Sequence, residues 1–169
     1  MSKKINNLKD LFVEQGRELY DSSLQEEKEL VAIENHVSNI ELKNVINRQL
    51  NTAKDQRTRL DKAFKTINAK VEGEKNECCQ AVFRKTQSLI DRSGDPRIKD
   101  AVIINSIQRL NHGKIAVLGS LASYAKEIGY PEIAFSIHET LNEEKAIDRE
   151  LTDLAEKEIN QKALTSMLM

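Results

Sequence analysis

Four groups of polar side chains fall where helical periodicity asks for apolar ones, and these residues are the best placed to do chemistry. Near the middle of the first apolar stripe stand Ser22, Ser23 and Glu26. In the second stand Gln49, Thr52 and Gln56; in the third Gln108 and Asn111, with His112 and Lys114 beside them; in the fourth Glu143, Glu144 and Asp148. Antiparallel helices hold their centres at equal height, so the four gaps are expected to meet in one layer. An unpartnered polar group costs about 1–3 kcal/mol to bury, and a charge costs more. Four interruptions at one height therefore point to a site. In a four-helix bundle the usual occupant is a metal pair held by carboxylates and histidines of facing helices. Iron or manganese suits such oxygen and imidazole donors.

The donors present argue against a strong site. Glu143, Glu144 and Asp148 crowd onto one helix, with Glu26 as a further candidate. The second helix offers only amide and hydroxyl groups at its centre. Lys114 brings an ammonium, which repels a metal and is expected to pair with Glu143 or Glu144. If a metal binds at all, its ligands are expected among Glu143, Glu144, Asp148 and His112. The ordinary role of a lone histidine beside a core stripe is a hydrogen-bonded structural one, and that is the expectation for His112. His36, at a helix end, and His138, on a helix flank, read as surface or interface residues.

The elements that carry these residues are punctuated clearly. Asn7 with Asp10 marks a first start, and the stripe runs on to Val37. Ser38 and Glu41 form an S-x-x-E capping pattern that opens a second helix. Its stripe ends at Val71, and Gly73 interrupts. A shorter apolar set from Cys79 to Ile90 stops at Ser93-Gly94. Asp95-Pro96 opens the next helix, which ends at Gly129; Pro131 opens the last. The spans expected are 7–37, 39–71, 96–128 and 131–160, with a short helix near 75–91 and a frayed tail from Lys162. Two short links make two antiparallel hairpins, and the long middle connection crosses the bundle. That is an all-α, ferritin-like four-helix topology in one domain over residues 1–169, with its core at about 7–160.

Composition supports this reading. The chain has 169 residues, 6 Gly, 2 Pro and 4% aromatics, too few turn-formers for a β-sandwich or a Gly-looped α/β fold. Lys+Arg number 26 against 27 Asp+Glu, so no basic surplus recruits nucleic acid. No apolar run is long enough for a membrane span or a secretory signal. Cys78 and Cys79 are neighbours, a poor geometry for a structural disulfide, and read as reduced thiols of a cytoplasmic protein. No Gly-rich phosphate loop, G-x-S-x-G or H-E-x-x-H motif occurs.

Three stretches carry a family resemblance: LKDLFVEQGRELYD at the start, SIQRLNHGKIAVLGSLASYAKEIGY in mid-chain, and ETLNEEKAIDRELTDLAEKEIN. Together they resemble the YciF-type branch of the ferritin-like superfamily from about Leu8 to Asn160. The resemblance implies a ferritin-like bundle, often dimeric, in bacterial cytoplasm and linked to stress. Carried over, the family's metal positions are mostly altered. The first-helix glutamate after the tyrosine motif is lost, since Tyr20 is followed by Ser22, Ser23 and Leu24. The His-x-x-Glu of the second helix falls on Gln49 and Thr52. The Glu-His-Tyr-Glu of the third becomes Asn111, His112, Gly113 and Lys114. Only Glu143, Glu144 and Asp148 keep their acids. The expectation is a non-catalytic, stress-associated or structural protein whose di-metal site has become a polar layer of Ser23, Gln49, Thr52, Asn111, Lys114, Glu143 and Glu144, with no cofactor. The alternatives are weak iron or manganese binding with residual oxidase activity, and a helical protein-interaction module. A homodimer is expected, without nucleic-acid or membrane partners.

Overall fold

The computed structural model describes residues 4–71 and 75–165. Gly73 and the tail beyond residue 165 lie outside the described residues. Five principal helices make up the fold: α1 (Leu8–Glu34), α2 (Ile40–Thr66), α3 (Glu77–Arg92), α4 (Pro96–Glu127) and α5 (Pro131–Leu154). A π turn (Ala155–Ile159) and a short α6 (Asn160–Thr165) complete it. No strand occurs among the described residues.

Helices α1 and α2 pair, as do α4 and α5; α2 also packs on α5 and α1 on α4, which closes a ring of four. Helix α3 lies outside that ring against α4 and α1. The chain crosses from the end of α2 to the start of α4 beside the α1–α2 turn, where the Ser38 backbone N–H donates to Asp100 Oδ1 at 2.8 Å. The fold is the ferritin-like bundle with one long crossover.

Local chemistry sets the element ends. Asn7 caps α1 by accepting from the Asp10 N–H at 2.9 Å. Asp95 caps α4 with Pro96 in its first turn, and Pro131 opens α5. Gly129, at φ 87°, ends α4 in a Schellman turn: the Tyr130 N–H donates to the Ala125 carbonyl at 2.9 Å.

Several ends differ from those expected. The first helix stops at Glu34 rather than Val37. Ser38 does not cap α2, because its hydroxyl donates to Asp100 Oδ2 at 2.5 Å. Asn39 takes the cap instead, accepting from the Leu42 N–H at 3.0 Å. Helix α2 ends at Thr66, five residues before Val71, because Asn68 adopts the left-handed conformation at φ 57°. There the Ala69 N–H donates to the Phe64 carbonyl at 2.9 Å, a Schellman turn closed by asparagine. The last helix is not continuous to 160. The π turn shifts its phase and brings Ile159 into the core. Lys162 lies in ordered helix, paired with Glu158 four residues back.

The apolar core is in two parts. One gathers Leu30, Leu42, Ile46, Ile103, Ile107 and Leu151 at one end. The other gathers Phe12, Leu60, Leu118, Leu121, Ile133 and Ile137 at the other. Polar residues from all four long helices separate them.

Candidate functional site

The separating layer is built from the interruptions in the four stripes. Glu26 lies seven residues after Leu19, four before Leu30 and seven before Ile33, all buried, so α1 aims its carboxylate inward. Gln49 and Gln56 face inward from α2, Asn111 and Lys114 from α4, and Glu144 from α5. Asn111 and Glu144 are fully buried, and Glu26 and Gln49 are 1% exposed.

Lys114 is the hub. Its Nζ lies 2.9 Å from both oxygens of Glu26 and donates to Glu144 Oε1 at 2.8 Å. Gln56 Nε2 donates to the same Glu144 oxygen at 2.6 Å. Gln49 Nε2 donates to Glu26 Oε1 at 2.7 Å and to Asn111 Oδ1 at 2.8 Å. Turned the other way, the Asn111 amide would donate to Glu144 Oε2 and the Ile107 carbonyl, each at 3.3 Å, at the expense of its bond from Gln49. Either orientation ties α4 into the layer.

The layer holds two carboxylates and one ammonium. Burial raises Glu26 above the usual carboxylate range; the Lys114 charge opposes this and the Glu144 charge adds to it. Burial by itself would lower Lys114. The charges and hydrogen bonds of Glu144 and Glu26 outweigh it and hold the ammonium well above its ordinary value.

The other expected site residues stand apart from this hub. Ser23 is buried, but its hydroxyl donates to the Tyr20 carbonyl of its own helix at 2.7 Å. Thr52 is only half-buried and enters none of these bonds. Glu143 is not among the bonds of Lys114 and is clamped by Arg59, with Nη1 to Oε2 at 2.6 Å and Nη2 to Oε1 at 2.7 Å. Of the two partners expected for Lys114, Glu144 is the one engaged. His112 is largely exposed, with Nε2 3.3 Å from Asp148 Oδ2. Asp148 Oδ1 is buried without a hydrogen-bond partner among the described residues. Gln108 donates to Thr152 Oγ1 at 2.8 Å. Glu143, Glu144, Asp148 and His112 thus do not converge. Among the described residues no three His, Cys, Asp or Glu side chains are grouped to hold a metal ion.

Sequence reasoning underweighted Glu26, whose place on the buried stripe was the available signal. It missed Arg59, whose role depends on α5 being its neighbour.

Between α1, α3 and α4 a cavity of about 260 Å³ reaches this layer, with Glu26, Lys114 and Cys79 among its lining. Burial pushes the Cys79 thiol up to about 12, and the Glu26 charge adds to the effect, so this sulfur stays protonated. Cys78 is exposed.

Residues 7–164 match the family described as a domain of unknown function, DUF892. The chain belongs to this family. It is 29% identical over 160 residues to Protein YciF of Escherichia coli strain K12, covering 94% of this chain and 96% of that one. The crystal structure of the E. coli stress protein YciF superposes with a TM-score of 0.87 at 28% identity, over 92% of this chain and 99% of that one. YcfI from Rhodopseudomonas palustris, provisionally described as a structural protein, superposes with a TM-score of 0.85 at 27% identity, over 90% and 97% of the two chains. The YciF-type resemblance and the helical fold are therefore established. No described helix is long and apolar enough to cross a membrane.

Proposed function

We propose that this chain is a non-catalytic, stress-associated ferritin-like protein in which a salt-bridged layer takes the place of a di-metal centre. One observation carries the reading: the Lys114 ammonium sits between Glu26 and Glu144, 2.8–2.9 Å from their oxygens, where a metal would need those oxygens free. The donor set does not fit a cation pair. It supplies two carboxylates where two divalent ions bring four positive charges, and an ammonium already neutralises one of them. His112, the remaining imidazole candidate, faces solvent beside Asp148. With a stress protein among its relatives, the layer reads as a structural device that fixes how the two hairpins meet.

In this reading the protein is cytoplasmic, carries no cofactor and acts as a homodimer, for which light scattering at tens of micromolar should give twice the 19.2 kDa chain mass. The deciding experiment is elemental analysis of protein produced in medium rich in iron and manganese, with iron(II) oxidation followed in parallel. The expected result is far less than one metal per chain and oxidation no faster than in buffer. Stoichiometric iron or manganese that survives dialysis would overturn the reading.

A further inference from the structure

The cavity between α1, α3 and α4 plays no part in the layer's own bonding. Leu19 and Leu110 are buried along its wall, and Val82 and Val117 add partly buried apolar surface. At about 260 Å³ it exceeds the roughly 150 Å³ at which an apolar cavity takes up a benzene-sized molecule. Its polar lining is Glu26 and Lys114 with Glu18, Ser22, Asn76 and Arg109. Among the described residues Glu26 Oε2 accepts from Lys114 alone, whereas Oε1 accepts from both Lys114 and Gln49. A carboxylate oxygen has room for a second donor, so Oε2 keeps an open acceptor site.

The charges select the head group. An anionic head would find no net positive charge, because the lining carboxylates of Glu18 and Glu26 balance the lining cations Arg109 and Lys114. A cationic head would meet Lys114 and would have to shed its water to enter. A neutral hydroxyl needs no balancing charge and can donate to Glu26.

We propose that this cavity binds a small, neutral, hydroxyl-bearing molecule of about one aromatic ring, its body against Leu19, Val82, Leu110 and Val117 and its hydroxyl donating to Glu26. The Cys79 thiol on its wall is protonated, so that sulfur takes no part as a nucleophile.

Gly113 supplies a clean way to close the site. It lines the cavity, and a Cβ built on it meets nothing within 4 Å. Gly113→Leu should occupy the space without straining the helix, and replacing a helical glycine should if anything stabilise α4.

The test is a backbone amide NMR titration of the full chain with phenol, and with benzoate and benzylammonium as charged analogues of similar size. Circular dichroism melts of each variant establish that it is folded. Saturable shifts with phenol should centre on the cavity-lining residues of α1, α3 and α4. Benzoate and benzylammonium should bind at least about tenfold more weakly, and Gly113→Leu should abolish the phenol shifts while staying folded. Phenol shifts that never saturate, charged analogues that bind as well, or shifts that persist in folded Gly113→Leu would each overturn the proposal.

Discussion

At the scale of single residues, Lys114 decides what the centre of this protein is. An ammonium 6% exposed and bonded to two carboxylates is tolerable only because every donor has an oxygen to meet. Removing it leaves Glu26 and Glu144 buried together, so Lys114→Met should cost about 3–5 kcal/mol, the usual cost of breaking a buried pair from one side. Urea denaturation at pH 7 measures this. The loss should shrink at pH 5, where the stranded carboxylates more readily take up protons. Adding Glu26→Gln and Glu144→Gln to Lys114→Met should recover most of it, which separates the cost of stranded charge from that of lost packing. In the unmodified protein the pH dependence follows from Glu26. Its folded value lies above the ordinary 4.5, so the folded state holds this proton better than the unfolded chain does. That contribution is present at low pH and is lost as pH rises through the raised value. Stability should therefore fall with rising pH in the window above 4.5, and Glu26→Gln should flatten that part of the profile. Lys114 acts at the alkaline end. Its raised value makes its contribution complete below the ordinary 10.5 and lost above it.

At the scale of elements, the hairpins depend on close approach and on how each helix is ended. Gly16 of α1 faces the Phe64 ring of α2, and a Cβ there would stand 2.7 Å from Cε2 and 2.8 Å from Cζ. Phe64 is fully buried and packs near Phe12, so the ring cannot swing aside. Gly16→Ala should therefore destabilise by about 1–3 kcal/mol by overpacking, even though alanine is the better helix former. Thermal melts of Gly16→Ala and Gly113→Ala should move in opposite directions, because only the first meets a neighbour. The same contrast explains which elements could be read in the sequence. Pro96, Pro131 and Gly129 act through their own backbones and Asp95 through a side-chain cap two residues on, so the starts of α4 and α5 and the end of α4 were legible. Ser38 was misread because its hydroxyl serves Asp100, 62 residues away, and no local pattern shows that competition. Asn68 was passed over because asparagine enters the left-handed region only in some contexts, whereas glycine announces it. The π turn was not legible, since it carries no Pro or Gly to mark it and its effect shows only in the burial of Ile159.

At the scale of the whole molecule, one polar layer divides two apolar clusters, and the chain must satisfy both conditions at once. The position of that layer was legible, because gaps at the middle of four helices can meet only at mid-height. Its wiring was not. Whether Lys114 turns to Glu143 or Glu144 depends on Arg59 having already claimed Glu143 through two bonds and on Glu26 reaching across from α1. Thr52 illustrates the same limit: it matches the spacing, yet its half-exposed position leaves it outside the hub. This arrangement suggests how the molecule could be made to depend on metal. With Lys114→Glu and Asn111→Glu combined, four carboxylates counting Glu26 and Glu144 would crowd a site with no cation to balance them. Without metal, that variant should be strongly destabilised, because like charges would be buried side by side. Manganese(II) or iron(II) supplies the missing charge and the oxygen-rich coordination those ions prefer. Binding to the folded state alone then raises stability by about 2.7 kcal/mol at a hundredfold excess over the dissociation constant. Thermal melts with and without manganese(II) should therefore separate widely for the double variant and coincide for the unmodified protein. A melting temperature of the unmodified protein that rises with metal would mean that Lys114 yields its place, and would count against the salt-bridged layer as a replacement for a metal centre.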